Sequence, residues 1–228
     1  GRLEFRNVTF SYPNDNKEVL NDISFVIEPG KTLAIIGRTG SGKSTVSDLA
    51  ARMYDPLKGT ILLDGIPLDN YELSSLRSNI GYVPQEVFLF SDTIANNISF
   101  GIENGAEMDR IEKAAVNAHI HHNIIDFKDG YSSVMGERGL TLSGGQKQRI
   151  SIARALIREP KLMLLDDCLS AVDTETEAAI LSNLKEIMSN NTTIISSHRI
   201  SSIQHADEII VLDQGKIIER GTHQALLN

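Results

Sequence analysis

An apolar run at residues 32–36 leads directly into Gly37-Arg38-Thr39-Gly40-Ser41-Gly42-Lys43-Ser44-Thr45, and residues 44–53 then place Val46, Leu49, Ala50 and Met53 at helical spacing. A strand that is apolar on both faces needs cover on both, so this strand–loop–helix unit calls for an α/β layered fold. The loop fits the pattern G-x-x-x-x-G-K-[ST] in its required setting, strand before and helix after. Its glycines let backbone N–H groups face an anion, and the helix N-terminus adds a favourable dipole. Lys43 supplies a point charge for β- and γ-phosphates, and Ser44 a hydroxyl for Mg²⁺. A glycine-rich turn can match by chance, but both flanks here are correct.

The second constraint is residues 142–167, LSGGQKQRISIARALIREPKLMLLDD. Ser143 is placed to cap a helix, and Gln146 three residues on completes a capping box. That helix is expected to run to Arg158, with Pro160 just beyond its end. The Ser143-Gly144-Gly145 turn can offer N–H groups to an anion. The apolar strand at residues 162–165 ends in two acids. In P-loop ATPases a carboxylate at such a strand end holds Mg²⁺, which gives Asp166 that role. Asp167 is placed to polarise an attacking water. Capping of the following turn is the alternative for both; the phosphate loop gives Asp166 a partner and strengthens Asp167 only in part.

The remaining pattern fills in the layers. Leu3, Phe5, Val8 and Phe10 read as a strand, followed by the turn cluster Tyr12-Pro13-Asn14-Asp15-Asn16. Strands are expected at residues 23–27, before Pro29-Gly30, and at 61–63, before Asp64-Gly65. From Leu73 to about Asp129 the texture is helical. A short helix opens at Leu73, a brief strand covers 81–84, and a helical period runs over 109–125 through Ile111, Ala114, Ala115, Ala118 and Ile125. After Pro160, strand and helix alternate: 162–165, 174–188, 193–196, a short helix near Ile200, 208–212 and 216–219. Such alternation implies a mostly parallel sheet covered by helices.

Composition bounds the function. The chain has 228 residues, 41% hydrophobic and 23% charged, with net charge -8 and no long basic run, which speaks against a nucleic-acid partner. No apolar run approaches the roughly 20 residues of a membrane helix. No signal peptide is read at the start, and the chain begins without Met, as expected of a piece of something longer. Its one cysteine, Cys168, suits a reducing compartment and reads as a packed residue rather than a nucleophile. His119, His121 and His122 lie on a helical stretch without Cys or acid partners, and read as structural or solvated rather than metal-binding.

Together these residues resemble the nucleotide-binding domain of an ABC transporter over nearly the whole chain. LSGGQ at residues 142–146, followed by KQRISIARAL, is similar to the family signature and more specific than the phosphate loop. The order also agrees: Tyr12, phosphate loop, Gln85, signature, Asp166, SAVD at residues 170–173, His198. The resemblance implies ATP and Mg²⁺ as cofactors. It implies nucleotide contacts from Gly37, Thr39, Gly40, Ser41, Gly42, Lys43, Ser44 and Thr45, with Tyr12 stacked on adenine. Ser44, Gln85 and Asp166 would hold Mg²⁺. Gln85 would also contact the attacking water and link the site to the membrane domain. Asp167 and His198 would complete the chemistry, His198 at the γ-phosphate. Ser143, Gly144, Gly145 and Gln146 would reach a second domain's ATP, and Asp173 in SAVD would communicate across that dimer.

The resemblance further implies one domain over residues 1–228. Its α/β P-loop ATPase core, about 1–72 and 161–228, would have a mostly parallel sheet and an N-terminal antiparallel β subdomain. A helical, signature-bearing subdomain would span about 73–160. Gly136-Glu137-Arg138-Gly139, the run VPQEVFLFSDTIANNISFG after Tyr82, and ERGTHQALL near the end resemble half-transporters of the multidrug or lipid exporter type. The transmembrane domain of the same polypeptide would hold this part at the cytoplasmic face of the cell membrane.

One residue departs from the pattern. Most active members carry Glu where this chain has Asp167, which implies a site that binds ATP and hydrolyses it slowly. An intact signature beside a shortened acid resembles one half of a heterodimeric exporter, whose non-identical partner carries Glu. A homodimer with two slow sites is the competing arrangement. Two other classes remain in view: a soluble ABC-type ATPase acting on DNA or ribosomes, which would need a coiled coil or tandem ATPase domains, and a non-catalytic regulatory ATP-binding module.

Overall fold

The structure, a computed structural model, describes all residues but 14, 16, 103, 104, 137–139 and 228, and the backbone alone at 186, 189 and 190. Gly136-Glu137-Arg138-Gly139 therefore lies, but for Gly136, outside the described residues.

An antiparallel sheet is built from β1 (Leu3–Phe10), β2 (Leu20–Ile27), β4 (Lys58–Leu63) and β5 (Ile66–Pro67), in the order β2-β1-β4-β5. Leu3 and Phe5 of β1 are buried, and Phe5 stacks on Phe25 of β2 with ring centroids 4.5 Å apart. The second sheet runs β10-β9-β3-β8-β7-β6. Its strands are β3 (Thr32–Gly37), β6 (Ile80–Val83), β7 (Leu162–Asp166), β8 (Thr192–Ser196), β9 (Glu208–Asp213) and β10 (Lys216–Gly221). All pairs in it are parallel except the β9–β10 edge.

Continuous apolar strands meet two cores at once, as their alternating side chains require. Leu162 and Leu164 of β7, with Leu33 and Ile35 of β3, face α1 (Lys43–Ala50) and the antiparallel sheet. Met163, Leu165 and Ala34 face the other way. There they meet a helical layer of α3 (Ile94–Ile98), α4 (Met108–Asn117), α5 (His121–Ile125), α6 (Gly144–Leu156) and α7 (Thr174–Asn190). The short helices α2 (Leu73–Ser78), α8 (Ile200–Ile203) and α9 (His223–Leu226) join strands or close the end.

The helical period read over 109–125 is two helices, not one. His119 takes φ +54°, its N–H bonds to Val116 O at 2.9 Å, and the Ile120 N–H bonds to Ala115 O at 2.9 Å. This pair of bonds ends a helix with a left-handed residue, and buried Ile120 seals it. Arg149 Nη1 bonds the His119 carbonyl at 2.5 Å, tying the break to α6. Ile125, read as part of the buried face, is exposed. Met53 is likewise exposed, because α1 ends at Ala50 and Arg52 turns the chain with φ +49°. The brief strand read inside the helical stretch is β6, and it pairs in parallel with β7 at the edge of the large sheet.

Glu4 on β1 is held down to about 2 by hydrogen bonds from Arg6 and Arg2. A depressed folded-state pKa stabilises the fold above the ordinary value of 4.5 and is lost as pH falls toward 2. Glu4→Gln is therefore expected to lower the urea midpoint at pH 7 and to converge on the unsubstituted protein near pH 2. A gap that persists at that pH would contradict the pairing.

Candidate active site

β3 delivers the chain into a loop whose backbone only glycine can follow. A Cβ on Gly42, at φ +105°, would lie 2.6 Å from Leu20 Cδ2, and one on Gly37 2.2 Å from the Leu212 carbonyl oxygen. By contrast, a Cβ on Gly40 would meet nothing within 4 Å, so the loop crest is open. Gly42 caps α1 without any side-chain cap, and the first bond of the helix runs from the Val46 N–H to Gly42 O at 3.1 Å. The amides of Lys43, Ser44 and Thr45 thus have no partner within the helix. Ser41 Oγ is buried without a hydrogen-bond partner among the described residues.

Lys43 is buried, and its Nζ donates to the carbonyls of Gly37 at 2.9 Å and Arg38 at 3.1 Å. Burial pushes its pKa down, while the charges of Asp166 and Asp167 oppose that shift. Both acids are buried where β7 ends, Asp166 at 3% and Asp167 at 8% exposure. Asp166 pairs in register with Ser196 of β8 and accepts from its Oγ. Asp167 takes φ +42°, and its N–H donates to Ser196 O at 2.9 Å. Burial raises the Asp167 carboxyl; the charge and backbone N–H of His198 draw it back down. His198 is exposed two residues past the end of β8, and Gln85 is exposed two residues past the end of β6. Val83 pairs with Leu165, so the chain that carries Gln85 leaves β6 beside the end of β7 that carries Asp166 and Asp167.

Tyr12 is half-buried beside α1, with its hydroxyl 2.9 Å from Thr45 Oγ1. Its ring meets Phe10 and Tyr54 edge-on, at 5.1 and 5.3 Å between centroids. With Phe10, Tyr54 and Leu57 it lines an open cavity of about 560 Å³. The signature sits elsewhere. Ser143 accepts from the Gln146 N–H at 3.2 Å while the Gln146 side chain accepts from the Ser143 N–H at 2.9 Å, the capping box expected from sequence. Cβ atoms on Gly144 and Gly145 would lie 3.3 and 2.9 Å from atoms of Ala171, so the turn rests on the SAVD loop. Among the described residues no hydrogen bond joins the SGG turn to the phosphate loop. Asp173 caps α7 through the Thr176 N–H at 2.9 Å.

The structure thus gathers Gly37, Thr39, Gly40, Ser41, Gly42, Lys43, Ser44, Thr45, Asp166, Asp167 and His198 around the ends of parallel strands. Tyr12 and Gln85 flank them. Ser143–Gln146 rest on the SAVD loop at Ala171, and Asp173, the last residue of that loop, starts α7. Sequence reading missed Ser196, which fixes Asp166, and Asp48, which accepts from the Tyr82 hydroxyl at 2.9 Å. It also missed the network behind SAVD. Arg199 donates to Ser170 O at 3.0 Å, Val172 O at 2.9 Å and Glu177 Oε2 at 2.5 Å. Ser201 and Ser202 also donate to Glu177. A Glu on an amphipathic helix reads as solvated, and only its three partners make its burial tolerable. Burial alone would raise the Glu177 pKa, but these bonds hold it below its ordinary value. Glu177→Ala is expected to cost about 2 kcal/mol by stranding the Arg199 and serine donors. Chemical denaturation at pH 7 checks this, and an unchanged midpoint would contradict it. Of the histidines, His119 ends α4 and His121 Nδ1 pairs with the Tyr131 hydroxyl at 2.8 Å. Cys168 is packed in the core, and burial pushes its thiol up to about 12.

An open glycine loop with its lysine facing two buried acids, set at the ends of parallel strands, places the fold in the class of P-loop ATPases. Residues 20–170 match the family described as ABC transporter. The whole chain is 48% identical to part of an ATP-dependent lipid A-core flippase of Pseudomonas aeruginosa, covering 38% of that protein. It is 49% identical to part of an ATP-binding cassette sub-family B member 6 of Xenopus tropicalis, covering 26% of it. Among solved structures, that of a bacterial Atm1-family ABC exporter with ATP bound aligns with 99% of this chain at TM-score 0.93 and 44% identity. This chain covers 39% of that one. The chain belongs to the ABC transporter family, as its ATP-binding, ATP-hydrolysing domain. It spans about two fifths or less of the length of these relatives.

Mg²⁺ and ATP fit the site. The orphan amides of α1 and the partnerless Ser41 hydroxyl lack an acceptor. Two buried carboxylates against one ammonium leave a local surplus of negative charge for a divalent cation. A triphosphate carrying Mg²⁺ answers both needs.

Proposed function

We propose that this domain powers export of an amphipathic substrate as part of a half-transporter. ATP would draw it against a second such domain, and hydrolysis would release the pair. The observation carrying this is that, among the described residues, no hydrogen bond joins the phosphate loop to the signature of the same chain, which leaves the SGG turn free to serve a second domain's ATP. Membrane attachment belongs to a transmembrane domain of the same polypeptide. Among the described residues no helix is long and apolar enough to cross a membrane. The relative named as a lipid A-core flippase supports a lipid-like cargo.

Ser44, Asp166 and Gln85 would hold Mg²⁺, which would supply neutralisation of charge on the phosphoryl group being transferred. In the proposed division of roles, the loop amides and Lys43 bind the phosphates. Ser196 fixes Asp166. Asp167 accepts a proton from the attacking water, and His198 faces the γ-phosphate. Tyr12 holds the adenine. Ser143, Gly144, Gly145 and Gln146 act on the second domain's ATP, and Asp173 lies at the junction. The core would comprise about residues 1–72 and 161–228, with the helical part over about 73–160.

The partner would be a non-identical half-transporter with Glu at the position matching Asp167. Purifying the tagged full-length polypeptide from its native host and sequencing the co-purifying half-transporter tests this. A partner with Glu there supports the unequal pair. Recovery of self-pairs alone would show a homodimer and overturn it.

A further inference from the structure

Helix α6 is tied to the SAVD loop through one buried amide. Gln148 is 5% exposed, and its Oε1 accepts from the Ala171 N–H at 3.0 Å while its Nε2 donates to Ser170 Oγ at 3.2 Å. The first bond fixes which end is oxygen, because a backbone N–H must meet an acceptor. Ser170 Oγ in turn donates to the carbonyl oxygen of Asp167 at 2.9 Å. The Asp167 peptide is therefore held at its carbonyl by Ser170 and at its N–H by Ser196. It needs this support, because its left-handed backbone persists only where its surroundings over-determine it.

We propose that Gln148 is a positioning residue that couples the signature helix to this chain's own catalytic acid. It is buried between α6 and the SAVD loop and is not one of the residues assigned to nucleotide or metal. Through Ser170 it locks the Asp167 backbone to the seat of α6, and Gly144 and Gly145 hold that seat tight against Ala171. When the SGG turn is pulled toward a second domain's phosphates, the displacement reaches Asp167 along a covalent and hydrogen-bonded path. The two sites of a pair are thereby linked within each chain as well as across the interface. This rests on Asp167 being the acid that faces water.

Gln148→Glu is the informative change. It keeps the shape and an acceptor for the Ala171 N–H but offers no donor to Ser170. The Ser170 hydroxyl proton then turns to the new carboxylate, which leaves the Asp167 carbonyl only the longer bond from the Ser170 N–H at 3.3 Å. In the full-length polypeptide assembled with its partner, conversion of the triphosphate bound at this chain's own site, followed by photolabelling this chain, is expected to slow about tenfold with nucleotide affinity at that site changed less than about twofold. Ser170→Ala, at an exposed position that leaves the fold intact, is expected to do the same. The double variant is expected to match either single one, because both cut the same tether. An unchanged conversion rate at this site in both single variants, an affinity that falls in step with the rate, or losses that multiply in the double variant would each overturn the coupling. An unsubstituted protein that turns over no ATP would instead overturn the functional reading beneath it.

Discussion

Asp167→Glu is expected to raise ATP turnover at this chain's own site by on the order of a hundredfold. Asp is one methylene shorter than Glu, so its carboxylate is drawn back by about 1.5 Å. A misplacement near 1 Å costs on the order of a hundredfold in rate, or about 2.7 kcal/mol of barrier. The backbone does not compensate: the Ser170 and Ser196 bonds fix the Asp167 peptide from both sides. Asp tolerates the left-handed conformation found there, φ +42°, better than Glu. The substitution should therefore lower stability by about 1 kcal/mol while it speeds the chemistry. ATP affinity should stay within about twofold, because the loop amides, Lys43 and Asp166 are untouched. Conversion of the triphosphate photolabelled on this chain within the assembled transporter, and nucleotide binding in EDTA, measured side by side, check both halves. An unchanged rate would mean that the shorter acid does not limit this site.

Lys43→Ala is expected to have the largest effect on binding. The ammonium meets only carbonyl oxygens and two carboxylates here, and no other cation is hydrogen-bonded to the loop carbonyls among the described residues. Losing it removes a charged hydrogen bond to phosphate and leaves Asp166 and Asp167 to repel that phosphate. ATP affinity should fall about a hundredfold, equivalent to roughly 2.7 kcal/mol, and turnover should drop below detection. Ala is favourable inside a helix, so α1 should survive. Filter binding of labelled ATP together with a thermal melt separates lost binding from lost fold. Affinity within a few-fold of the unsubstituted protein would remove Lys43 from the phosphate site.

The two-sided apolar strands and the glycine loop were legible because each has a local cause. Residues 32–36 and 162–165 can be buried only between two layers, and Gly37 and Gly42 stand where a Cβ would strike Leu212 and Leu20. The capping box at Ser143 was equally local. The helix break at His119 was not. The apolar period continues through it, and what stops the helix is a left-handed histidine whose carbonyl is taken by Arg149, 30 residues away. The site divides the same way. Lys43, Asp166 and the signature announce themselves by neighbours in sequence. Ser196, Gln148 and the Arg199–Glu177 pair act on residues 22 to 30 positions distant and carry no local mark. Gln148 left one trace: a large polar residue on α6 in line with buried Ile152.

Whether this chain's own site is slow can be read from the nucleotide it holds. After the assembled, unsubstituted transporter has turned over many times in Mg²⁺ and a photoreactive ATP analogue, brief illumination links the bound nucleotide to each half, and the label on this chain is resolved as tri- or diphosphate. A retracted Asp167 predicts mainly triphosphate on this chain while the partner carries diphosphate. Diphosphate accumulating on this chain as fast as on its partner would show that Asp167 hydrolyses ATP at full speed, and the unequal pair would be wrong.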